Sequence, residues 1–119
     1  MPRILLVGYI PELLREPEHT LRNAGYDVIV ALSYAAASRA IASGPVDVAA
    51  FGFSVPESDR NQLARIVKDA WPSVQIIMIY FASVKNTELA DALMPNTSTP
   101  QEILRAVNHM LTKNQSRRA

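Results

Sequence analysis

The sequence predicts an α/β fold: a five-stranded parallel sheet layered between helices. Three observations point there. A strand-then-helix pattern repeats five times within 119 residues. The strand candidates are continuous apolar runs, as expected for strands buried on both faces. The connections are only a few residues long, which suits right-handed crossovers in one compact domain.

Arg3 to Val7 (RILLV) is the first run. Residues 11–24 then read as a helix with Leu14, Leu21 and Ala24 on its inner stripe, stopped by Gly25. Pro17 falls inside it and removes a backbone donor, so a bent or two-part helix is expected. Asp27 to Ala31 (DVIVA) is the second strand. Ser33 caps an alanine-rich helix reaching about residue 43, and Gly44 ends it. Residues 47–51 form the third strand.

Residues 57–71 carry Leu63, Ile66, Val67 and Ala70 at helical spacing, and Pro72 closes that helix. Residues 74–80 (VQIIMIY) are the fourth and most apolar strand. Residues 83–91 have room for only a short fourth helix, and residues 92–94 form a short fifth strand. Thr99-Pro100-Gln101-Glu102 is a capping box with proline at the first helical position. It starts a last helix whose inner face is Ile103, Val107, Met110 and Leu111. One domain, residues 1–113, is expected, followed by a frayed polar tail over residues 114–119.

Composition narrows the function classes. A net charge of +1 argues against a broad basic face for nucleic acid. The only basic cluster, Lys113 with Arg117 and Arg118, reads as a solvated end. The chain has no cysteine, which excludes disulfides and thiolate metal sites and fits a cytoplasmic location. No apolar run approaches the roughly 20 residues that span a bilayer. The opening MPRILLVGYIPE lacks the long apolar region and cleavage site of a signal peptide.

Five stretches, in this order and spacing, resemble the receiver domain of bacterial two-component response regulators: RILLVGYIPELL, AGYDVIVALSYAAA, PVDVAAFGFSVPESD, AWPSVQIIMIYFAS and TPQEILRAVNHML. The likeness covers nearly the whole chain. It implies the CheY-like, flavodoxin-like doubly wound sheet of strand order 2-1-3-4-5, here with a shortened helix 4. It also implies a site at the carboxyl edge of the sheet. In that family two acids after the first strand hold Mg²⁺, and an aspartate ending the third strand accepts the phosphoryl group. A small hydroxyl residue and a lysine end the fourth and fifth strands.

Carried over position by position, the acidic pair falls on Gly8 and Tyr9, the acceptor on Gly52, the hydroxyl residue on Tyr80 and the lysine on Asn96. Thr97 then takes the place of the family proline, with Pro95 as the alternative. Glycine has no side chain to phosphorylate, and no carboxylate remains at these positions to balance a magnesium ion. The resemblance therefore implies a degenerate, or pseudo-, receiver: a phosphorylation-independent protein-interaction module of a phosphorelay system, not an enzyme. It would use no cofactor or metal and touch neither nucleic acid nor membrane. Its partner is a signalling protein; its oligomeric state is open.

Other residues are weighed against plainer roles. Asp47 reads as strand-entry solvation. Glu12 is a lone metal-ligand candidate beside a helix start that favours a carboxylate anyway. Ser54 is a substitute phosphosite candidate or an ordinary loop serine. His19 and His109 read as surface histidines, and Trp71 as packing over the end of the third helix. Tyr9, Phe51, Phe53, Tyr80 and Phe81 are expected to gather at the carboxyl edge. There they either fill a vacated pocket or line a site for a small ligand. The alternative function is accordingly a small-molecule sensor at that aromatic-lined edge.

Overall fold

The computed structural model describes residues 1–81 and 87–118, with side chains up to residue 113. Five strands form one parallel sheet: β1 (Arg3–Val7), β2 (Asp27–Ala31), β3 (Val48–Phe51), β4 (Gln75–Tyr80) and β5 (Ala92–Pro95). Their order is β2-β1-β3-β4-β5. The described helices are α1 (Arg15–Asn23), α2 (Tyr34–Ala42), α3 (Glu57–Ala70) and α4 (Pro100–Arg118). A 3₁₀ turn, Pro11–Leu13, precedes α1. The short helix expected over residues 83–91 falls partly on residues 82–86, which lie outside the described set; Glu88 and Leu89 form a turn.

Strand parity divides the core in two. Leu5, Val7, Ala49, Phe51, Ile76 and Met78 face α2 and α3, where they meet Ala37, Ile41, Leu63, Ala64 and Val67. Ile4, Leu6, Val48, Ala50 and Ile77 face the other way, onto Leu21 of α1 and Ile103, Val107 and Met110 of α4. All of these are buried, which is why the strand sequences are apolar without alternation.

The helix boundaries follow from backbone chemistry. The first helix is in two parts, as Pro17 requires. The 3₁₀ turn ends at Leu13, and the first α-helical bond of α1 runs from Glu18 N–H to the Leu14 carbonyl. Pro17 thus stands in the first turn, where no N–H is needed. Gly25 stops α1 with φ +95°, a conformation that favours glycine. The Ser33 hydroxyl accepts the Ala36 N–H and caps α2. At α4, Thr99 and Glu102 close a reciprocal capping box: Glu102 N–H to Thr99 Oγ1 at 3.1 Å and Thr99 N–H to Glu102 Oε1 at 2.9 Å. α4 then continues through the polar end to Arg118.

Three inner-face assignments need correction. Ala24, Ile66 and Ala70 are exposed, each lying off the buried stripe of its helix. α3 instead buries Arg60 and Ala64 beside Leu63 and Val67. Among the described residues no helix is long and apolar enough to cross a membrane.

Candidate functional site: the carboxyl edge of the sheet

β1 and β3 end side by side, and each is followed by glycine. Gly8 N–H donates to the Ala31 carbonyl at 3.1 Å, and Gly52 N–H to the Val7 carbonyl at 2.8 Å. The two glycines differ in their surroundings. A Cβ on Gly8 would lie 2.9 Å from Cδ2 of Leu14, so the Leu14 side chain fills that space. A Cβ on Gly52 would meet nothing closer than the Val7 carbonyl oxygen at 3.4 Å. The acceptor position therefore has room for a side chain that the sequence does not supply.

The loops beyond the two strands are tied together through Tyr9. Its N–H donates to Ser54 Oγ at 2.9 Å, and its hydroxyl donates to Asp59 Oδ2 at 2.7 Å. Burial pushes the Tyr9 hydroxyl up to about 12 from 10.0, with the Asp59 carboxylate adding to the effect. Val55, buried, and its N–H bond to the Gly52 carbonyl pin the turn that leads into α3. Ser54 is thus a loop anchor, and Asp59 is a carboxylate occupied by a neighbour.

At the other strands the match in position is closer than the match in chemistry. Tyr80 ends β4 half-buried, in register with Pro95. Asn96 follows β5 at once; its N–H donates to the Tyr80 carbonyl at 2.8 Å and its side chain is exposed. Both stand at the carboxyl edge.

Strand parity takes Phe51 away from the edge, while Tyr9, Phe53, Tyr80 and Phe81 stand there without converging on one pocket. Phe51 faces α2 and α3 and is wholly buried in that core. Phe53 and Phe81 stack with centroids 5.9 Å apart, but at the surface. Tyr9 turns to Asp59. The vacated space at Gly8 is taken by an aliphatic side chain, not a ring. A cavity of about 400 Å³ does open at this edge, between the sheet end, the Pro11–Leu13 turn and the start of α4. Of the five aromatics only Phe53 lines it; the rest of its apolar lining is aliphatic.

The donor set does not fit magnesium. That ion calls for carboxylate oxygens in near-octahedral array. Gly8, Tyr9 and Gly52 supply none, and Asp59 accepts from Tyr9. Among the described residues, no group of three or more His, Cys, Asp or Glu is placed to hold a metal ion.

The remaining residues singled out by sequence take structural positions. Glu12 is exposed on the 3₁₀ turn. His109 is exposed, and His19 pairs with Asn23 on the surface of α1. Trp71 packs on the α2–α3 core and donates its indole N–H to the Ile41 carbonyl at 3.1 Å. Asp47 does more than solvate a strand entry: its Oδ2 accepts the Arg3 N–H at 2.8 Å. Asp91, before β5, accepts the Ile76 N–H at 2.7 Å, a role with no local sequence signal.

No protein-family model matches the sequence, and no curated protein matches it. Solved structures do match. A CheY-like response regulator receiver domain protein from Methanospirillum hungatei superposes with a TM-score of 0.88 at 22% identity, over 98% of both chains. A response regulator receiver protein from Sinorhizobium medicae gives 0.82 at 25% identity, over 95% of this chain and 96% of that one. The N-terminal domain of a response regulator/sensory box/GGDEF protein from Carboxydothermus hydrogenoformans gives 0.82 at 18% identity, over 98% and 99%. The chain has the CheY-like receiver fold from end to end.

Proposed function

We propose that this chain is a pseudo-receiver: a receiver-fold signalling module that engages a protein partner without accepting a phosphoryl group. One observation carries the reading. The strand ends where receivers place two metal-binding acids and a nucleophilic aspartate hold Gly8, Tyr9 and Gly52. A phosphoaspartate needs a carboxylate nucleophile and a cation to neutralise the incoming oxygens. Gly8, Tyr9 and Gly52 supply neither the nucleophile nor a ligand for the cation.

The loops that a bound metal would organise have another fastening. Tyr9 joins the β1 loop to Ser54 and Asp59 on the far side of Gly52. In this reading the edge is held in one arrangement by hydrogen bonds, and signalling runs through binding, not through a covalent switch. The partner surface in this reading is the exposed flank of α1 and α4, which pack beside each other on one face of the sheet. The module works in the cytoplasm and has no enzymatic activity of its own.

The test is chemical. The chain is incubated with acetyl phosphate and Mg²⁺, then with beryllofluoride and Mg²⁺. The intact mass and the amide NMR spectrum should stay unchanged in both. Stoichiometric acid-labile phosphate, or saturable shifts around Gly52, would overturn the proposal.

A further inference from the structure

We propose that the cavity of about 400 Å³ at the carboxyl edge is a binding site for a small, uncharged, amphipathic molecule with an apolar body and one hydrogen-bonding head. This goes beyond the pseudo-receiver reading and does not depend on it. The cavity sits beside the β1–β3 junction, the point where strand order reverses and where open parallel sheets place their ligands. Its volume falls in the range of small-molecule pockets.

Its shape has a cause in the sequence. Gly52 leaves the end of β3 without a side chain, and the 3₁₀ turn holds Leu13 and Leu14 above the gap. Leu6, Ala50 and Ile103 form an apolar floor, all of them buried. That floor selects an apolar body.

The mouth selects the head. Ser54 and Asn96 stand there. Ser54 Oγ accepts the Tyr9 N–H, and its own O–H has no acceptor among the described residues. The Asn96 side-chain amide, unlike its backbone N–H, makes no hydrogen bond among them either. A carbonyl or hydroxyl would meet both groups. An anion would not be favoured. The lining carries two acids, Glu12 and Glu16, against one base, Arg15. Two helix starts border the cavity: that of α4 is already capped by Thr99 and Glu102, and that of α1 carries Glu16 and Glu18 in its first turn.

The test uses a matched pair of fluorescent probes. N-phenylnaphthylamine is uncharged, with one N–H; anilinonaphthalene sulfonate has the same body plus a sulfonate. The neutral probe should brighten saturably at one site per chain, and the sulfonate should bind at least about tenfold more weakly. Gly52→Leu should fill the cavity and weaken the neutral probe by at least about tenfold. A cooperative melt shows that this variant is folded; Asn96→Trp, which places a bulky ring over the mouth from an exposed position, is the second variant. Leu32→Ser, at an exposed apolar position outside the cavity lining, should leave binding unchanged.

Equal or tighter binding of the sulfonate overturns the proposed ligand class. Undiminished binding in both blocking variants, or loss of binding in Leu32→Ser, overturns the site. Phosphoryl uptake with intact probe binding would sink the pseudo-receiver reading alone. Inert phosphodonors with no probe binding would sink this proposal alone.

Discussion

The two edges of the sheet use acidic residues in opposite ways. At the amino edge, Asp47 and Asp91 each precede a strand, and each carboxylate accepts a backbone N–H from the neighbouring strand: Arg3 for Asp47, Ile76 for Asp91. At the carboxyl edge, the strands β1 and β3 run out into Gly8 and Gly52, and the nearby Asp59 is turned aside by Tyr9. Carboxylates at the amino edge close the fold's backbone hydrogen bonds, whereas at the ends of β1 and β3 the chain places glycine. The demands of a scaffold and those of a site on it are separate.

The comparison breaks most sharply at the amino edge. Asp91→Ala should cost about 1.5–3 kcal/mol, because it strands the Ile76 N–H and loses a charge-assisted bond. Its contact with Lys68 at 3.3 Å adds little, being partly solvated. Asp47→Ala should cost a similar amount through the Arg3 N–H. The asparagine variants keep an acceptor oxygen and should cost less. Urea unfolding measures all four; a neutral result for both alanine variants would mean the acids are not holding the edge together.

The two glycines sharpen the other side. Gly8→Ala should cost about 1–2 kcal/mol, because its Cβ would press on Leu14, whose rotation relieves only part of the overlap. Gly52→Ala should lie within about 0.5 kcal/mol of the parent, since its Cβ would make only ordinary contacts. Equal costs at the two positions would show that Leu14 does not hold the space beside Gly8.

Much of this was legible in the sequence. The five strands and the four described helices announced themselves, because a strand buried on both faces has to be continuously apolar and helix ends have local signatures, as at Gly25 and Thr99-Pro100. That glycine follows both β1 and β3 was also readable from the strand bounds. The fate of Phe51 was also legible, since it shares strand parity with Ala49 and must face α3 rather than the edge. Ser54, Asp59 and Asp91 were not legible. Their partners are 45, 50 and 15 residues away, so their roles exist only once the chain is folded. The same holds for Leu14, whose place beside Gly8 depends on the 3₁₀ turn.

The Tyr9 fastening makes a smaller prediction with a pH signature. Tyr9→Phe should cost about 0.5–1.5 kcal/mol by losing the bond to Asp59. In the parent the fold disfavours the phenolate, so the support from neutral Tyr9 is whole below pH 10, erodes as pH rises, and is gone above about 12. The phenylalanine variant should lack that loss. A phenolate that titrates near 10 in the parent, read from the absorbance difference between the two proteins, would dissolve the link between the two loops.

The smallest expected effect tests whether a carboxylate beyond the carboxyl edge also serves the backbone. Glu102 lies in the first turn of α4, and its carboxyl is held below its ordinary value by the Thr99 N–H it accepts, with Arg105 adding slightly. The charged form is the favoured one. Its support for the start of α4 is therefore whole above pH 4.5 and fades as pH falls through the lowered folded value. The Thr99 amide resonance should follow that titration, and in Glu102→Gln it should stay fixed across the same range. An amide shift that persists in the glutamine variant would assign the titration to another acid. Glu102 would then no longer belong with Asp47 and Asp91 as an acid that serves the fold.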